Sequence, residues 1–198
     1  MNISGPAGQL EYRLDVAQEP RNCLAILSHP HPQYGGNLHD AVLATAVETL
    51  HTHQISALRF NFRGVGTSAG TFDGTAEAQD LLAVSASCAQ AYPDYDIWWI
   101  GYSFGAAMTM RALKHHQPQR CLLIAPPNKA MHMPVYTSAQ PADVYAIAGA
   151  RDSYVDVLEL EQNSGIATLQ IAGADHFFSG QHNQLADAIS QWVARGVR

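Results

Sequence analysis

With 198 residues, 47% apolar and 14% charged, the chain has the size and composition of a single domain (1–198) able to bury a sizeable core. Its net charge is −6, and no basic run exceeds Lys114-His115-His116. Nucleic acid and anionic membrane are therefore excluded as main partners. No apolar stretch approaches the roughly 18 residues of a membrane span, and Met1–Pro6 lacks the basic and apolar regions of an export signal, so a cytoplasmic protein is expected.

In chain order, residues 9–18 alternate apolar and polar with period two, the pattern of a half-exposed antiparallel edge strand. Cys23–Leu27 is continuously apolar, as a strand covered on both faces would be. It runs into His29-Pro30-His31-Pro32-Gln33-Tyr34-Gly35-Gly36, too rich in Pro and Gly for a helix. Val42, Leu43, Ala46, Val47 and Leu50 give residues 39–52 one apolar helical face. The strand over 55–62 ends in the glycine turn Arg63–Ser68, and a helix over 75–91 is expected with Thr75 as its cap and Glu77 and Asp80 in its early turns. A strand over 96–102 leads through Ser103 into a helix reaching about His116, which Pro118 helps to close. Strands follow at 121–125, 144–149 and 167–171, with helices near 154–163 and 182–195. This alternation predicts a mostly parallel sheet of about six to seven strands with helices on both faces. In such sheets the site lies beyond the carboxyl ends of the strands, so the loops after them open onto one rim.

One stretch carries chemistry. Gly101-Tyr102-Ser103-Phe104-Gly105 follows a strand and opens a helix, the setting a G-x-S-x-G nucleophile elbow requires. A serine on so sharp a turn has a strained backbone, and neighbouring chain must pass so close that the flanking positions cannot carry bulk. The Phe104 amide then points outward at a helix start, where negative charge is favoured. Asp152 follows the strand at 144–149 and His176 the strand at 167–171, giving the order Ser103, Asp152, His176. A serine hydroxyl is a poor nucleophile until a base takes its proton. Imidazole has the right basicity near neutral pH, and a carboxylate on its far nitrogen fixes the tautomer. Activity should accordingly fall in acid as His176 is protonated. The negative oxygen of a tetrahedral intermediate needs preplaced donors. Phe104 N–H is one; in the 29–36 loop, where Pro30 and Pro32 have no N–H, His31 is preferred, with Gln33 or Tyr34 behind it.

The chain resembles the α/β-hydrolase superfamily over nearly its full length, and within it a lidless bacterial branch of small serine hydrolases. The resemblance rests on the HPHP-x-YGG loop at His29–Gly36, the RFNFRG-x-G-x-S turn at Arg59–Ser68, the elbow at Gly101–Gly105 and the ending at Ala174–Phe178. It implies Ser103 as nucleophile, Asp152 as acid, His176 as base and an oxyanion hole from Phe104 and the His31 region. Asn61 stands where many relatives carry aspartate, and His29-Pro30 replaces the common His-Gly of the oxyanion loop. Only 18 residues separate the strands at 121–125 and 144–149, which leaves no room for a cap domain. An open site for a small, soluble, short-acyl ester or thioester is expected, with Tyr34, Tyr102, Met131 and Phe177 as candidate contacts. Met131, Met133, Val135 and Tyr136 either line an acyl pocket or simply pack their loop.

Other readings stand beside this one. Gly64-Val65-Gly66-Thr67-Ser68-Ala69 fits a dinucleotide fingerprint, but the acidic residue that should end the next strand is missing, so no cofactor is expected. Ten histidines, paired at 29/31, 51/53 and 115/116, show no recognisable metal spacing, so no metal is expected. Cys23, Cys88 and Cys121 read as reduced thiols. His29 is expected to orient the oxyanion loop, and Arg63 to tie its own loop. A non-catalytic binding module of the same fold and a peptidase or amidase remain alternatives, and the oligomeric state is left open.

Overall fold

The computed structural model describes residues 1–135 and 143–195. Eight strands form one sheet: β1 (Asn2–Gly5), β2 (Gly8–Asp15), β3 (Cys23–Ser28), β4 (Ser56–Phe60), β5 (Asp96–Tyr102), β6 (Arg120–Ile124), β7 (Asp143–Gly149) and β8 (Ala167–Ile171). They lie in the order β1-β2-β4-β3-β5-β6-β7-β8. The first two ladders, β1–β2 and β2–β4, are antiparallel, and the rest are parallel. The strand count exceeds expectation by β1, whose Asn-Ile-Ser-Gly carries a single large apolar residue. It is a strand because it pairs with β2, and β2 is consequently not the edge.

The helices are α1 (Ala41–Thr52), α2 (Glu77–Ala91), α3 (Phe104–Ala112), α4 (Val157–Ser164) and α5 (His182–Arg195). Side chains alternate across the sheet, so each strand serves two cores. Ala25, Leu27, Trp98 and Ile100 join the core beneath α1 and α5, whereas Leu24, Ile26, Ile97 and Trp99 join the core beneath α2 and α3. The adjacent tryptophans show the division. Trp98 packs edge-on against Trp192 of α5, their centroids 5.1 Å apart, while Trp99 Nε1 donates to Ser85 Oγ of α2 at 3.0 Å.

The start of α2 differs from expectation. It begins at Glu77, and the cap is not Thr75 but the Asp73 carboxylate, which accepts from the amides of Thr75 and Ala76. Glu77 answers by accepting from the amides of Asp73 and Gly74 at 2.8 and 2.9 Å. A carboxylate facing converging amide donors is a stronger acceptor than a hydroxyl. At two other helix starts, Asp40 caps α1 and Asp156 caps α4.

Strand order reverses between β3 and β5, with β4 on one side of β3 and β5 on the other. A crevice opens at such a point beyond the strand ends. The pairing of Ser28 with Gly101 brings the loop after β3 alongside the turn after β5.

Candidate active site

The turn after β5 has the strain its spacing predicts. Ser103 adopts φ 52° and ψ −117°, a left-handed conformation rare for a residue with a side chain. Its flanking glycines are steric requirements. A Cβ on Gly101 would lie 2.6 Å from the Gly105 carbonyl and 2.7 Å from Ala106 Cα, and one on Gly105 would overlap the Ser28 carbonyl. Gly105 is therefore what lets the loop after β3 lie against the elbow.

The structure brings Ser103, His176 and Asp152 together. Ser103 Oγ is 2.9 Å from His176 Nε2, and His176 Nδ1 is 2.7 Å from Asp152 Oδ2. All three residues are buried. The second Asp152 oxygen accepts from Tyr154 N–H at 2.8 Å, which fixes the carboxylate plane. The other acids near these loops are otherwise engaged. Asp175 accepts from the amides of Phe177 and Ser179, both at 3.0 Å, and these bonds hold its carboxyl below the usual range. Asp156 accepts from Glu159 N–H at the start of α4.

Behind the imidazole, Tyr102 is buried and donates its hydroxyl to the His176 carbonyl at 3.1 Å. Burial pushes that hydroxyl's pKa up, so it remains a donor. The structure gives Tyr102 the position of a support for the histidine loop as well as a place in the cleft floor.

His29 organises the loop after β3. It is fully buried, its Nε2 accepts from Phe62 N–H at 3.1 Å, and its Nδ1 lies 2.7 Å from the Pro30 carbonyl. Since Nε2 accepts, the ring proton sits on Nδ1, and burial lowers the pKa from 6.5 to about 4. Within the loop, Gln33 N–H goes to His31 Nδ1, Tyr34 N–H to the His31 carbonyl and Gly35 N–H to the Pro32 carbonyl. Among the described residues, no protein group takes up the amides of His31 or Phe104. That leaves His31 rather than Gln33 or Tyr34 as the unspent amide. The His31 ring packs 5.0 Å from those of both Phe72 and Phe104.

The glycine turn after β4 is a brace. Glu11 Oε2 accepts from Asn61 Nδ2 and Thr67 N–H, and Asn61 Oδ1 accepts from Leu38 N–H. The amides of Gly64, Val65 and Ser68 are satisfied within the protein as well. Arg63 forms a buried ion pair with Asp80, with Nη2 at 2.6 Å from Oδ1. The loop-tying role expected of Arg63 fits this geometry. Among the described residues no group of three potential metal ligands occurs. The three cysteines are free and buried, which pushes the thiols of Cys23 and Cys88 up to about 12.

Over Ser103 lies a cleft of about 570 Å³. His31, Tyr34, Tyr102, Met131 and Phe177 line it, and Tyr34 and Phe177 are exposed. Met131 and Met133 also pack on the α2/α3 core, so the methionine loop is in part simply packed. Tyr136 lies outside the described residues. Asp40, Pro127, Ala130 and Tyr154 also line it without having been singled out by the sequence. Tyr154, 45% exposed, sets its ring 4.7 Å from that of His176, and an aromatic two positions beyond the acid was the available signal. Asp40, which no sequence pattern singled out, caps α1 and reaches the same cleft because α1 starts beside the loop after β3.

An eight-stranded, mostly parallel sheet with a serine elbow after its central strand is the α/β-hydrolase fold. The profile of the family described as "Serine aminopeptidase, S33" matches residues 25–166, and the chain belongs to that family. It is 32% identical to the uncharacterized protein RP471 of Rickettsia prowazekii (strain Madrid E), over 96% of this chain and 87% of that protein. Among solved structures it resembles XC6422 of Xanthomonas campestris, described as an α/β serine hydrolase without lid, at 31% identity and TM-score 0.89, covering 98% of this chain and 93% of that one. It likewise resembles ATU1826 of Agrobacterium tumefaciens, a putative α/β hydrolase, at 30% identity and TM-score 0.87, covering 98% and 94%. These likenesses place the chain among the α/β serine hydrolases. Among the described residues no helix is long and apolar enough to cross a membrane.

Proposed function

We propose that the protein is a carboxylesterase-like serine hydrolase that cleaves an ester or thioester of a small soluble substrate through an acyl-enzyme. The observation that carries this is the continuous chain of two hydrogen bonds from Ser103 Oγ to the Asp152 carboxylate. His176 Nε2 takes the seryl proton as Oγ attacks the carbonyl carbon, and Asp152 holds the Nδ1–H of the resulting imidazolium. The oxyanion is received by the amides of Phe104 and His31, where one donor is worth about 3–4 kcal/mol in the transition state. His176 then gives the proton to the departing alcohol or thiol, and water repeats the cycle on the acyl-enzyme.

The buried triad beneath an open rim favours short acyl groups over long chains, because nothing among the described residues encloses a long one. Reaction with a fluorophosphonate should label Ser103 in the native protein and fail in Ser103→Ala. Absence of label on the native protein would overturn the reading. The family's description, serine aminopeptidase, makes hydrolysis of small peptides the second reading. A panel of acyl donors differing in chain length and leaving group, with matched aminoacyl amides, separates the two. The location we propose is cytoplasmic, with no nucleic acid or membrane partner.

A further inference from the structure

The cleft has a charge asymmetry that the triad does not use. No Lys or Arg is among the described residues lining it, whereas a carboxylate, Asp40, is. Asp40 is half-buried, and Oδ1 accepts from both Val42 and Leu43 N–H at the start of α1, at 2.8 and 3.4 Å. Among the described residues, Oδ2 has no hydrogen-bond partner, and it is not sealed from solvent. Burial holds this carboxyl above its ordinary range, although the two amides and the nearby His182, bonded to Thr45 Oγ1, act the other way. Such a carboxylate gains by meeting a cation.

The rest of the wall suits the same guest. Tyr34, Tyr154 and Phe177 present partly exposed rings around the mouth, and Phe104 and Tyr102 lie deeper. Aromatic faces attract ammonium groups when water is partly excluded. Rings alone would accept any apolar acyl chain; rings beside an incompletely partnered carboxylate discriminate by charge.

We propose that the cleft selects acyl substrates carrying a positive charge, an ammonium or quaternary ammonium group, and that Asp40 is the specificity-determining residue. The proposal rests on the serine-hydrolase reading and names its substrate class. It is tested with two p-nitrophenyl esters of one shape, the 4-(trimethylammonio)butanoate and the neutral 5,5-dimethylhexanoate, together with the anionic glutarate monoester. The native protein should prefer the cationic ester over the neutral one by about tenfold in kcat/KM, equivalent to about 1.4 kcal/mol, and should disfavour the anionic one. Asn caps helices nearly as well as Asp, so Asp40→Asn should lower the cationic-to-neutral ratio from about tenfold to the roughly twofold that partly exposed rings supply. A role confined to capping α1 would lower all three esters together and leave the ratio unchanged, which would overturn the proposal. Equal native rates on the charged and neutral esters would do the same while leaving the hydrolase reading intact. If none of the three is turned over in a Ser103-dependent way, the hydrolase reading fails and the proposal falls with it.

Discussion

The floor of the cleft and its rim are built on different principles. On the floor, Ser103, His176 and Asp152 are buried, each at the end of a sheet strand or in the loop after it, and tied to the next by a hydrogen bond. At the rim, Tyr34 and Phe177 are largely exposed and make no side-chain hydrogen bond among the described residues. The histidine loop shows both within adjacent residues: Phe178 is fully buried in the core and anchors the loop, while Phe177 turns outward 5.4 Å from the imidazole. Position on the floor is set by backbone and sheet, whereas the exposed rings of the rim rest on ring contacts, Tyr34 on His31 and Phe177 on His176.

If that division holds, substitutions on the floor act on turnover and those on the rim act on substrate choice. The largest effect is expected for Ser103→Ala, a loss of about 10,000-fold or more in kcat on a short-chain ester with an unchanged fold. Retention of more than a few per cent of activity would mean that another nucleophile operates. Next comes the brace behind the floor. Asp80→Ala leaves the Arg63 guanidinium buried without its partner, and should cost about 3–5 kcal/mol of stability, read by urea denaturation. A cost below 1 kcal/mol would show that the ion pair does not hold the loop.

The third effect depends on pH. With a folded-state pKa of about 4 against an ordinary 6.5, neutral His29 contributes stability that is complete above pH 6.5 and lost as pH falls toward 4. Over that window the loss amounts to about 3 kcal/mol. Native protein should therefore lose stability between pH 6.5 and 4.5 more steeply than His29→Gln, in parallel denaturation series. Equal slopes would show that the ring is not held neutral. The smallest effect belongs to the rim. Removing the Tyr154 ring in Tyr154→Ala leaves its backbone bond to Asp152 in place, so KM should rise about threefold to tenfold with little change in Tm. Loss of turnover comparable to Ser103→Ala would erase the distinction between floor and rim.

The same division decides what could be read from the chain. Ser103 was legible because the strained turn forces glycine at 101 and 105, and because the acid and histidine each follow a strand of their own. The resemblance to relatives reinforced that order. Asp40 and Tyr154 left no comparable mark: their residue types are ordinary for a helix cap and a loop, and only the packing of α1 and the acid loop beside the elbow brings them to the cleft. In the fold, the continuously apolar strands β3 and β6 announced themselves through burial on both faces. β1 did not, since four residues with one large apolar side chain carry no period, and its existence depends on β2. The cap of α2 was misread for a related reason: Thr75 and Asp73 are both good acceptors in isolation, and only the loop's three-dimensional course points the Asp73 carboxylate at the amides.

That the seryl oxygen on the floor carries the acyl group is tested by quenching the protein with acid during turnover of p-nitrophenyl acetate and mapping its peptides by mass. An acetyl group is expected on the peptide holding Ser103, absent from Ser103→Ala and formed far more slowly in His176→Ala. Acetylation confined to other residues, or full turnover by a protein in which Ser103 never becomes modified, would contradict it.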